Sequence, residues 1–156
     1  TPIIMNLIKT YYPTLKMNVI IGKGFSNVPE IISESNVNTK LIYYPNASKM
    51  KESMVASDIA IGAGGQTLYE LASLGIPTIA IILVDNQIDD TKGWADKRFL
   101  FNVGWYHNKS LEKTIINFLK ILKNYELRES MGNVGQLYID GKGAKRIAEY
   151  TINQLK

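Results

Sequence analysis

The sequence predicts an α/β fold, a parallel sheet with helices on both faces. Three observations predict it. Short apolar runs alternate with segments of helical period from the start of the chain to about residue 100. One of those runs, Pro77 to Val84, is apolar almost throughout, which is the pattern of a strand covered on both faces. Between them, Ile59 to Leu74 passes from an apolar strand through Gly62, Gly64 and Gly65 into an amphipathic helix.

Each element has its own signal. Thr1-Pro2 suits a helix start, a capping residue followed by Pro at the first helical position. Ile3, Ile4, Leu7, Ile8 and Tyr11 repeat at helical spacing, and Pro13 stops the helix. Asn18 to Ile21 reads as a short strand, ended by Gly22-Lys23-Gly24-Phe25. Val28 to Ser35 reads as a helix, and Leu41 to Tyr44 as the next strand, ended by Pro45-Asn46. Ser48 is expected to cap a helix to Ser57, with Met50, Met54 and Val55 facing inward. Asp58 leads into the central strand. In the helix that follows, Leu68, Leu71 and Ala72 share a face. Gly75 and Pro77 close it, because Gly suits the left-handed residue after a helix and Pro cannot continue one. Past Pro77–Val84 and the polar Asp85-Asn86-Gln87, a helix is expected from about Gln87 to Leu100, weakened at Gly93. The rest is expected to be helical: Leu111 to Lys123 with Ile115, Phe118, Leu119 and Leu122 along one side, then Glu126 to Leu137. A turn at Asp140-Gly141-Lys142-Gly143 precedes a last helix from Ala144 to Gln154.

Composition narrows the function. A chain of 156 residues, 46% hydrophobic and 21% charged, suits one globular domain. Its net charge of +4 fits a small anionic ligand, while its scattered lysines speak against nucleic acid. There is no cysteine and one histidine, which leaves no disulfide, no thiol metal site and no multi-histidine site. No metal or cofactor is expected. No apolar run reaches the ~18 residues of a membrane span. No secretory leader is visible, so the expected compartment is the cytoplasm.

The glycine turn carries the chemistry. Glycines let backbone approach a ligand closely, and the first amides of a helix have no internal partner. The helix dipole is positive there, so an anion such as phosphate fits. Gln66, Thr67 and Glu70 are three or four residues apart and form a stripe distinct from the apolar face. Gln66 and Thr67 would flank the phosphates; Glu70, a turn further in, would accept from sugar hydroxyls. The same residues also suit a plain tight turn with Glu70 as a solvated acid. The stronger phosphate motifs are excluded. Thr67 stands where a dinucleotide fingerprint needs its third glycine, and Gly22-Lys23-Gly24 lacks P-loop spacing. Yet Gly22–Phe25, Pro45–Ala47, Gly62–Thr67 and Asp85–Gln87 all follow strand ends, where ligands of parallel sheets bind.

Ala63 to Pro77, Ala-Gly-Gly-Gln-Thr-Leu-Tyr-Glu-Leu-Ala-Ser-Leu-Gly-Ile-Pro, resembles a segment of the UDP-sugar hydrolase of pseudaminic acid biosynthesis and of spore-coat polysaccharide proteins. More distantly it is similar to the carboxyl-terminal domain of the lipid-linked N-acetylglucosaminyltransferase of peptidoglycan synthesis. The pair Asn86-Gln87 and the block Asp140-Gly141-Lys142-Gly143-Ala144-Lys145-Arg146-Ile147 agree in order and spacing. The resemblance implies one half of a GT-B architecture, two Rossmann-like domains across a cleft. It implies that Gly64, Gly65, Gln66 and Thr67 bind the diphosphate of UDP or a UDP-sugar and that Glu70 binds the ribose. Asn86 and Gln87 would face the sugar or phosphate, and Asn46-Ala47 would border the uracil. Gln66 departs from the hydrolases, which have a small Ser there; its longer amide could donate to a phosphate oxygen or crowd it. In the family a strand and a glycine-rich loop precede the helix matching Pro2–Tyr12, and an amino-terminal domain with the catalytic histidine precedes those. The expectation is therefore a partial chain, binding without turnover, whose exposed sheet edges favour a dimer or a rearranged edge. The parent activity implied is release of UDP from a diacetamido-trideoxy sugar nucleotide, with a glycosyltransferase half or a non-catalytic binding module as alternatives. Catalytic residues are not assigned.

Other tempting residues read as structural. His107 follows Trp105-Tyr106 outside the matched blocks and is assigned a structural or surface role. Trp94 and Trp105 read as packing rather than sugar platforms. Asp89 and Asp90 are adjacent and so point about 100° apart on a helix, which suits a solvated face better than a catalytic pair.

Overall fold

The computed structural model describes residues 1–155, which form five strands and eight helices. In chain order these are α1 (Pro2–Tyr11), β1 (Met17–Ile21), α2 (Val28–Ser33), β2 (Thr39–Tyr43), α3 (Ala47–Val55), β3 (Ala60–Ala63) and α4 (Thr67–Leu74). Then come β4 (Thr78–Ile82), a single 3₁₀ turn (Asp85–Gln87), α5 (Ile88–Asp96), β5 (Leu100–Trp105), α6 (Leu111–Ile121), α7 (Tyr125–Tyr138) and α8 (Gly143–Gln154). All strand pairs are parallel, so within each sheet the carboxyl ends share one rim.

β4 organises the core. Every residue of it is buried. Alternate side chains of a strand face opposite ways, and Ile79 and Ile81 enter one apolar cluster while Ala80 enters the other. The first cluster takes Met5 and Ile8 of α1, Val19 and Ile21 of β1, and Ile115 and Leu119 of α6. The second takes Met54 of α3, Leu68 and Leu71 of α4, and Trp94 of α5. Helices thus cover both faces, as the alternating pattern requires. α1 is tied across to α6 by the Tyr12 hydroxyl, which donates to the Ile116 carbonyl at 3.0 Å. α8 buries none of its side chains.

The sheet is split. β1 pairs with β2, and β3-β4-β5 form a separate three-stranded sheet. β1 and the second sheet nevertheless share the first apolar cluster. β1 and β3 are edge strands, each without a second strand partner among the described residues.

Several expectations need correction. The helix expected to reach Leu100 ends at Asp96, and a fifth strand follows it, so the last third is not all helical. β5 also carries a bulge. Between Ala80 and Ile82 of β4, β5 spends one extra residue, from Asn102 to Trp105. Gly104 takes φ +79, and the Asn102 side chain accepts from its N–H at 2.7 Å. Leu100 enters the second apolar cluster, while Val103 and Phe101 pack in the first, so β5 is covered on both faces and shows no polar–apolar alternation. In α3 the cap is Asn46, not Ser48: its side chain accepts from the Lys49 N–H at 2.9 Å. Val55 points out to solvent, while Met54 is buried. The close of α4 is as expected, with Gly75 left-handed at φ +72.

Candidate functional site

The rim after β3 is where the backbone offers the most. Gly64 is buried, and its N–H is held by the Ile81 carbonyl at 3.0 Å, which pins the start of the turn to β4. Thereafter the chain turns directly into α4, and the amides of Gly65, Gln66 and Thr67 have no acceptor among the described residues. The carbonyls of Gly65 and Gln66 accept from Leu68 and Tyr69, so the turn is already wound into helix as it leaves the glycines. Three successive unpaired N–H groups at the positive end of a helix form an anion cradle. Gln66 and Thr67 are exposed beside it, and Glu70 lies exposed in the first turn of α4.

α5 supplies the wall. Gln87 is half-buried and is drawn to the turn: its Oε1 accepts from the Leu83 N–H at 2.9 Å, which leaves its Nε2 donor free. A side chain on Gly64 would stand 3.3 Å from the Gln87 Cβ, and one on Gly65 would stand 3.7 Å from its Nε2. Glycine at 64 is obligatory for a further reason, because a Cβ there would collide with the Thr91 hydroxyl. Asn86 is exposed in the 3₁₀ turn. So the structure brings Gly64, Gly65 and Gln87 into contact, with Gln66, Thr67 and Glu70 on the adjoining helix. Asn46 and Ala47 sit apart, at the end of the other sheet, with the Asn46 carboxamide oxygen committed to its cap. α3, which they begin, packs beside α4 through Met54. Thr91 was not legible in the sequence as a site residue; its spacing of four from Gln87 on α5 was the available signal.

The other candidates settle into structure. Trp94 is buried edge-on against Tyr69, Phe99 and Tyr138, a packing role. Asp90 accepts from the Tyr69 hydroxyl at 2.8 Å. That hydrogen bond, with burial, raises the tyrosine's pKa above its ordinary value. The bond ties Asp90 of α5 to Tyr69 of α4. His107 is exposed and stacks on Trp105 with ring centroids 5.5 Å apart. Among the described residues no cluster of His, Cys, Asp or Glu could hold a metal ion.

A Rossmann-like parallel α/β half-domain with an anion cradle at the carboxyl end of β3 defines the class: one half of a GT-B, glycosyltransferase-like architecture. Residues 5–134 match the glycosyltransferase family 28 C-terminal domain, and the chain belongs to that family. It is 33% identical over 94 residues to the spore coat polysaccharide biosynthesis protein SpsG of Bacillus subtilis (strain 168). That alignment covers 60% of this chain and 28% of SpsG, so the chain spans well under half the length of that relative. No helix of the described residues is long and apolar enough to cross a membrane.

Proposed function

We propose that this domain holds the UDP portion of a nucleotide sugar for a second domain that faces it. The observation that carries the reading is the run of unpaired amides at Gly65, Gln66 and Thr67, aimed from a helix start at a rim beyond the strand ends. They would take the diphosphate, with the hydroxyl of Thr67 and the free amide of Gln66 beside them. Glu70 accepts from the ribose hydroxyls, Asn86 and Gln87 face the sugar or phosphate, and Asn46-Ala47 borders the uracil. Family membership supports a nucleotide-sugar ligand. The likeness to SpsG supports a place in polysaccharide biosynthesis.

The finer reading is a hydrolase of the pseudaminic acid type, in which a water oxygen bonds to the sugar and UDP departs with the broken C–O bond. It rests on the resemblance of the Ala63–Pro77 block. Transfer to a sugar or lipid acceptor in place of water is the second reading, and the match to a glycosyltransferase family favours it. Both readings require a facing half that carries the reacting groups, so this chain alone is expected to bind without turnover. The split sheet supports such a partner. The edges of β1 and β3 are open to a further strand. Left open, the same edges invite pairing with a second copy.

Calorimetric titration with UDP, UMP, CDP and GDP tests the reading. UDP should bind best. Thr67→Ala and Glu70→Ala should each weaken it, by about 10-fold where a phosphate contact is lost and about 5-fold at the ribose. Equal affinity for all four nucleotides, or variants that bind like the wild type, would overturn the assignment.

A further inference from the structure

The glycine turn conceals a polar group with no partner. Thr91 is fully buried on α5, and its Oγ1 is the one buried side-chain nitrogen or oxygen among the described residues that makes no hydrogen bond. Folded proteins rarely leave such an atom unpaired, because the hydroxyl has given up its water for nothing in return. Valine has the same shape and would fill the space without that cost.

The direction of the hydroxyl is informative. It does not face the apolar cluster of Trp94. It faces Gly64, so closely that only glycine fits opposite it. Gln87, the residue that caps α5, lies four residues earlier and meets the same turn, with its Nε2 uncommitted and nearest to Gly65. The beginning of α5 thus brings two donors, an amide N–H and a hydroxyl, to the underside of a turn whose upper side offers three backbone donors. Five donors around one turn, with no acceptor yet matched to them, are complementary to a group with several oxygens and a negative charge. The Gly64 N–H is pinned to β4, but the peptide that follows it joins two glycines and can rotate without side-chain hindrance.

We propose that Thr91 is a binding residue of this site, whose hydroxyl donates to a phosphate oxygen of the bound diphosphate when the Gly64–Gly65 peptide turns to admit it. The inference rests on the nucleotide reading above and adds to it a residue from beneath the turn. It also assigns a cost: the unpaired hydroxyl destabilises the free domain and is satisfied only on binding. Affinity and stability are therefore coupled with opposite signs at one atom.

Thr91→Val and Thr91→Ser test it, each followed by thermal melting without ligand and by calorimetric titration with UDP and with inorganic pyrophosphate. Thr91→Val should melt higher than the wild type by a few degrees and bind both probes about 10-fold more weakly. Thr91→Ser keeps the hydroxyl and should bind within about 2-fold of the wild type. Thr91→Val that binds UDP as the wild type does overturns the inference and leaves the nucleotide reading standing. Equal losses in both variants would mark packing rather than hydrogen bonding and would also overturn it. A wild type that binds neither probe removes the nucleotide reading and this inference together.

Discussion

Gly132→Ala places a methyl group where a backbone carbonyl already stands. Gly132 lies on α7 against the end of α4, and a Cβ there would overlap the Gly75 carbonyl oxygen, with the Gly75 carbonyl carbon at 3.2 Å and Cα at 3.4 Å. These are backbone atoms of a left-handed helix cap whose neighbours are fixed by the Gly75 and Ile76 N–H bonds to Ala72 and Leu71. They cannot rotate away as a side chain would. Relief requires α7 to move off α4 by about 1 Å, which forfeits much of the dispersion contact along the seam. Gly135 is in the same seam, where a Cβ would lie 2.8 Å from both the Ala72 carbonyl and the Phe99 ring, so the helices cannot slide to compensate. Overpacking of this kind costs about 1–3 kcal/mol, and alanine's better helix propensity returns up to about 1 kcal/mol. Because the clash is with fixed backbone, the cost lies at the upper end, and the net loss is about 2 kcal/mol, or roughly 4–8 °C in Tm for a domain of this size. Gly93→Ala is the control. Gly93 is exposed within α5, and a Cβ there meets nothing within 4 Å, so alanine should stabilise by about 0.5–1 kcal/mol. Thermal melting followed by circular dichroism reads both. The same chemical change should shift Tm in opposite directions, and a Gly132→Ala protein as stable as the wild type would refute the argument.

Three further outcomes follow from the same contacts. Asn124 caps α7 by accepting from the Leu127 N–H at 2.8 Å, so Asn124→Ala should cost about 1 kcal/mol in denaturant melts without altering UDP affinity. Asn46→Ala should cost a similar amount through the cap of α3 and also weaken UDP, because Asn46 borders the proposed base site; unchanged affinity in titration would remove that role. Glu34 accepts from Lys9 at 2.6 Å and from Asn6 at 3.1 Å, and those hydrogen bonds hold its carboxyl below the ordinary value. A folded pKa depressed in this way stabilises above the unfolded pKa and is lost as pH falls through the folded one. The Tm difference between wild type and Glu34→Gln should therefore be present at pH 7 and close as pH drops below about 4.3; a gap unchanged at pH 2 would contradict it.

Local chemistry made much of this chain legible before its structure. The unbroken apolar run of β4 declared a strand buried on both faces, because only such a position spares a strand any polar face. Gly75 declared the end of α4, because its left-handed backbone is a local demand that sequence meets with a local residue. The glycine turn between β3 and α4 was legible for the same reason, and Gly64, Gly65 and Gln87 do converge there. β5 was not legible. Leu100 faces one apolar cluster while Phe101 and Val103 face the other, so no alternation marks it as a strand.

What the sequence by itself determined, then, was the α/β class, the order of most elements and the position of the glycine turn, all of which follow from residue spacing and backbone preference within a few turns of chain. What only the tertiary structure decided was the pairing of strands into two sheets, the glycine seam between α4 and α7, and the unpaired Thr91 hydroxyl beneath Gly64. Each of those depends on which distant segments meet, Thr91 with Gly64 or Gly132 with Gly75. No local pattern encodes such a meeting, because it is set by how the whole chain buries its apolar faces.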